Sequence, residues 1–201
     1  MKNTVYSNSN SNLAVINERI NKLSGKTKVS ELNDFPFDDY SDFVSAVNSK
    51  QYDIVSDYNF ELYSRLLASK TDLYIHLATL TVPFLIILTD IILSIVLKNW
   101  LFLLGVPLAV FGFFSSSPYN KIKKTVSGLG CTLTILFFFT IGWKWSVIVG
   151  SMLFSQMFVM VAREQYRMAV HEYALKSETV FSYLFSNRLI DVLDNVRRTV
   201  L

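Results

Sequence analysis

The sequence predicts an all-α polytopic membrane protein, with four transmembrane helices in two hairpins and cytoplasmic amphipathic helices formed by both termini. Three observations lead there. Residues 73–97, LYIHLATLTVPFLIILTDIILSIVL, form an apolar run whose only formal charge is Asp90. As a helix at 1.5 Å per residue this run covers roughly 37 Å, more than the ~30 Å hydrocarbon core of a bilayer. The 201 residues are 51% hydrophobic and only 17% charged, with mean hydropathy +0.35, which is charge-poor beside an average soluble domain. The charges are also segregated. Residues 1–72 hold eight Lys/Arg and ten Asp/Glu, residues 73–162 five Lys and one Asp, and residues 163–201 six and five.

Residues 1–11, a Ser/Asn tract behind a single Lys, have nothing to bury and are expected to be disordered. No apolar region follows that Lys directly, so no cleavable signal is expected and the first span directs insertion. Residues 12–72 read as a cytoplasmic helical region. Leu13, Ile16, Ile20 and Leu23 fall at helical spacing before a stop at Gly25. Phe35-Pro36-Phe37 marks a turn-rich link, and a short helix carries Phe43, Val44 and Val47. Between 52 and 70, Val55, Tyr58, Leu62 and Leu66 share one face, and nothing there breaks a helix before the first span.

The bundle is expected over residues 73–162, with spans at 73–97, 100–117, 126–142 and 145–162. Gly105 and Pro107 predict a kink in the second span. The stretch SSSPYNKIKK is the one substantial hydrophilic loop between spans. Residues 163–201 form a stalk helix that continues the fourth span, a break at Ser186 and Asn187, and a last amphipathic helix. That helix would present Leu189, Leu193, Val196 and Val200 as a stripe awaiting a partner.

Orientation follows from the basic residues near the span ends. Arg65, Lys70, Lys121, Lys123, Lys124, Arg163 and Arg167 fall on one side, against Lys98 and Lys144 on the other. Both termini are therefore expected in the cytoplasm. Trp100, Trp143 and Trp145 sit at the two outer turns, where an amphipathic ring suits the headgroup level. Together with Lys98 and Lys144 they define the outer interface. The basic loop Lys121, Lys123, Lys124 is accounted for by topology and by attraction to anionic lipid.

Asp90 is the one intramembrane carboxylate, and such a group must be hydrated, paired or protonated. Three roles fit it: a carboxylate hydrated near the outer interface, a polar lock between helices, or a step on an ion or proton path. Lys98 and Lys144 are its candidate counter-charges. His76 and His171 read as surface or interfacial, with no Cys, Asp or Glu at ligand spacing. Cys131 reads as a small packing residue. No nucleophile motif, phosphate-binding loop or basic stripe for nucleic acid occurs, so no enzyme, metal, cofactor or nucleic-acid partner is expected. Small residues four apart, Gly130 with Thr134, Ser146 with Gly150 and Ser151 with Ser155, predict close helix packing in the last two spans.

This layout, four spans with minimal outer loops and a fourth span flowing into AREQYRMAVHEYALKSE with its Arg-Glu-x-Tyr-Arg stretch at 163–167, resembles the entry-exclusion proteins of F-like conjugative plasmids, the TraS group. The resemblance implies a non-enzymatic protein of the bacterial inner membrane. Such a protein blocks redundant plasmid DNA transfer by recognising TraG, a component of the donor's mating apparatus. The longer N-terminal region departs from that group. The layout is also similar to membrane subunits of anti-phage defence systems, which sense infection or open as pores. A small oligomeric ion channel is the third class, and homo-oligomerisation is compatible with each.

Overall fold

A computed structural model describes residues 3–23, 28–32, 35–115, 139–140, 142–195 and 199–200. The fold is mostly helical, and the chain divides into two units. One comprises Met1–Leu73 with Tyr166–Leu201, the other Tyr74–Gln165.

The first unit opens with α1 (Asn3–Leu23), which buries Ile16 and Ile20 one turn apart. This helix starts inside the Ser/Asn tract that composition marks as disordered. Packing over the apolar half supplies the costly nucleus, and each residue added upstream then gains a backbone hydrogen bond at little further cost. The next helix, α2 (Tyr40–Asn48), is capped by Asp39, whose side chain accepts from Ser41 N at 2.9 Å, and buries Phe43, Ala46 and Val47.

Residues 52–70 do not form the continuous helix expected of them. Tyr52–Val55 is a strand, β1; Asn59 then caps α3 (Phe60–Leu62), accepting from Leu62 N at 2.9 Å, and a π-turn, Tyr63–Leu67, follows. Ala68 is extended, and Ser69 starts a new helix, α4 (Lys70–Val96), accepting from Asp72 N at 3.1 Å and donating to Asp72 Oδ2 at 2.6 Å. The physical reason is local capping chemistry: two polar side chains that satisfy backbone donors mark two helix starts where apolar spacing shows one helix.

The C-terminal segment carries the larger correction. After α7 (Glu178–Ser186), Ile190, Val192 and Asp194 are buried in alternation, and Asp191–Asp194 is a strand, β2, followed by β3 (Thr199–Val200). The sheet is antiparallel in the order β1-β2-β3, with Asp53 opposite Leu193, Ile54 opposite Val192 and Leu193 opposite Val200. The all-α expectation is therefore amended by a small sheet, and the helical stripe of Leu189, Leu193, Val196 and Val200 does not exist as one face. Leu189 packs partly buried on the core, Leu193 and Val200 pair across strands, and Val196 lies outside the described residues. Strand alternation wins because β1 supplies a hydrogen-bonding edge that no local pattern reveals.

These elements close on one hydrophobic core in which Phe43 and Phe181 approach to 4.4 Å between ring centroids, with Phe35 5.2 and 5.1 Å from the same two rings. Helix α6 (Trp143–Lys176) contributes Tyr166, Val170, Tyr173 and Ala174 to it. The expected stalk is helical only to Lys176; Ser177 interrupts it and caps α7, its Oγ accepting from Val180 N at 3.3 Å and donating to Asn17 Oδ1 at 2.7 Å.

The second unit holds most of α4, a 3-10 turn (Trp100–Leu104), α5 (Gly105–Ser115) and α6 up to Gln165. Two helices, Lys70–Val96 and Trp143–Lys176, are long and apolar enough to cross a membrane, and Trp100–Phe114 is a shorter apolar stretch. The change from 3-10 to α geometry falls at Gly105, where a kink was expected. Most of the expected third span, Cys131, Gly130 with Thr134, and the basic loop Lys121, Lys123, Lys124 lie outside the described residues.

Candidate functional site

On α4 the buried residues are His76, Pro83 and Asp90, seven apart, so the helix turns one narrow line fully inward while its other apolar side chains are half-buried or exposed. A strict seven-residue seam is what a long helix needs to stay in register with a neighbour over four turns. It was present in the sequence, but an apolar run conceals its own inward face, because lipid-facing and buried residues are equally hydrophobic.

Asp90 is 1% exposed, which removes the expectation of a hydrated carboxylate. Its partner comes from α6: Ser151 Oγ lies 3.0 Å from Asp90 Oδ1 and 2.9 Å from the Val147 carbonyl oxygen. Neither Lys98 nor Lys144 forms an ion pair with it; both are exposed, and no cation lies within pairing distance of Asp90 among the described residues. The second carboxylate oxygen has no hydrogen-bond partner among those residues. It rests against Gly105, where an added Cβ would lie only 2.4 Å from Oδ2. Of the three roles open to Asp90, the geometry is that of a polar lock between α4 and α6, closed from a third side by the start of α5.

The α5 contribution is a stripe of small residues that the sequence reading passed over. Gly105, Ala109 and Gly112 recur at helical spacing. Ala109 is fully buried and its carbonyl accepts from Ser155 Oγ at 2.8 Å. A Cβ on Gly112 would fall 2.3 Å from the Met152 carbonyl oxygen. Backbone meets backbone here, as is usual where no hydrophobic effect separates helix from lipid. Of the expected small-residue pairs, Ser146 with Gly150 and Ser151 with Ser155 do lie on buried surface of α6.

His76 is fully buried, which corrects its reading as surface or interfacial. His171 is half-exposed, 4.0 Å from Asp53. Of the residues expected at the outer interface, Trp100, Trp143 and Trp145 are all exposed, and Trp143 packs on buried Phe102 with centroids 5.6 Å apart, so the aromatics of the two turns meet.

In the first unit the polar features tie distant segments together. Glu178 Oε1 accepts from Val29 N at 2.8 Å, and the Tyr40 hydroxyl donates to the Ala174 carbonyl. Burial, reinforced by the Glu178 charge, holds the Tyr40 phenol well above its usual range. The Tyr63 phenol is pushed up to about 12, chiefly by burial, with Asp72 and the neighbouring tyrosines adding to it. Among the described residues no group of three or more His, Cys, Asp or Glu is placed to hold a metal ion. No protein-family model, curated protein or solved structure matches the chain.

Proposed function

We propose that this chain is a multi-pass protein of the bacterial inner membrane that works by protein–protein recognition, without enzymatic chemistry, and that its task is conjugative entry exclusion. On this reading four spans cross the bilayer, both termini face the cytoplasm, and TraG of the donor mating apparatus is the partner. The observation that supports it most is the division of labour in the chain. The chain has two long apolar helices and also a unit, Met1–Leu73 with Tyr166–Leu201, that has its own aromatic core and therefore a surface not given over to lipid. The outer turns around Lys98 and Lys144 offer far less than the ~800 Å² per partner of a standard interface, so recognition runs through the packed unit.

A mating assay tests it. Expressed in recipient cells, the chain should sharply lower the yield of transconjugants from an F-like donor and leave transfer from an unrelated conjugative system unchanged. Unaltered mating together with protection of the same cells against phage would assign the chain to defence.

A further inference from the structure

Within the second unit a cleft of about 400 Å³ runs between α4 and α6. Its α6 wall is a single helical face, Trp143, Ser146, Gly150 and Phe154, and Gly150 leaves the room in the middle. The opposite wall is apolar apart from Thr89 and Asp90. The volume falls in the ~300–1,000 Å³ range of small-molecule sites. Trp143 and Phe154 are 42% and 47% exposed, so the cleft opens on the apolar surface of the unit.

Two polar groups lining the cleft, one on each wall, are buried and incompletely used. Asp90, which lines the cleft, spends one oxygen on Ser151, and its other oxygen, packed against Gly105, has no hydrogen-bond partner among the described residues; Ser146 Oγ, in a residue 6% exposed, has none either. A carboxylate so placed, with no basic side chain in reach among those residues, is matched by a proton or by a cation that enters the cleft. A hard divalent ion such as calcium or magnesium asks for about six oxygens or more, more than this cleft presents. An organic cation asks for one counter-charge, apolar contact area and an aromatic face, and all three are here.

We propose that the cleft is a binding site for a lipophilic organic monocation, whose charged centre lies beside Asp90 and Ser146 and whose apolar body lies along the α6 face between Trp143 and Phe154. Access from the apolar surface makes the bilayer the route of entry.

Tetraphenylphosphonium and tetraphenylborate, matched in shape and opposite in charge, are the probes. Equilibrium dialysis of the detergent-solubilised full chain should show saturable binding of the cation, at least about tenfold tighter than the anion. Asp90→Asn keeps the acceptor for Ser151 while removing the charge, and should weaken the cation by at least about tenfold with the thermal melt unchanged. Ser146→Ala should have a smaller effect. Equal binding of the two ions, unsaturable uptake of both, or full cation affinity in a folded Asp90→Asn chain would each overturn the proposal. The comparison of the two ions on the unaltered chain decides the matter even if the variant fails to fold.

Discussion

At the scale of single residues, Asp90 and Gly105 are one feature seen from two sides. The carboxylate occupies the volume that a side chain at 105 would need, so Gly105→Ala should destabilise the bundle by about 1–3 kcal/mol, the usual cost of overpacking. Asp90→Ala loses the Ser151 bond but clears that space, and the double variant should be less destabilised than the sum of the two. A double-mutant cycle read by thermal melting in detergent checks this; strict additivity would show that the two do not touch. Asp90→Asn should melt close to the parent, while Asp90→Leu should lose about 1 kcal/mol. The buried phenols make a second expectation. Tyr63 titrates near 12 when folded against an ordinary value of 10.0. The unfolded chain therefore gives up its proton first as pH rises, and stability present below pH 10 is lost between about 10 and 12. Tyrosinate absorbance followed through that window should show a late-titrating group, missing in Tyr63→Phe.

At the scale of elements, three helices end in the same way. Lys50, Lys98 and Arg188 follow α2, α4 and α7 with φ of 62°, 49° and 54°. Behind each, the next amide bonds back to a carbonyl five residues earlier: Gln51 to Ala46, Asn99 to Ser94 and Leu189 to Leu184. This is the Schellman stop, and glycine fits its left-handed residue best. Arg188→Gly should stabilise the first unit by about 0.5–1 kcal/mol, the left-handed strain relieved less the added chain entropy. Chemical denaturation would read the gain, and a loss would mean that the arginine side chain contributes more than its backbone costs. None of these stops carries a glycine, so the one at Lys50 was not legible beforehand, whereas the end near Leu97 showed in the loss of apolar residues and that near Asn187 in a polar break. The starts were more legible where Asp, Asn or Ser precedes the helix, yet Asn59 and Ser69 were read through because the apolar spacing ran on unbroken.

At the scale of the whole molecule, orientation is the expectation that most needs measurement. Cysteines placed at Lys98 and Lys144, in a Cys131→Ser background, should label from outside intact spheroplasts; cysteines at Lys22 and Arg188 should label only after lysis. Outside labelling of the latter pair would invert the topology and move the packed unit to the far side of the membrane. The sequence by itself determined two helices long and apolar enough to cross a bilayer, Lys70–Val96 and Trp143–Lys176, because a membrane helix closes its backbone hydrogen bonds within its own segment and composition over about 20 residues is enough to mark it. It also determined the amphipathic core face of α1 around Ile16 and Ile20, a local pattern with a local cause. Only the tertiary structure decided that residues 191–194 are a strand, since their partner lies at 52–55 and a stretch that short takes its hydrogen bonds from wherever an edge is offered. Only the tertiary structure chose the inward line of α4 and set Asp90 against Ser151 and Gly105, because in a uniformly apolar helix the buried face is fixed by the neighbours that close upon it.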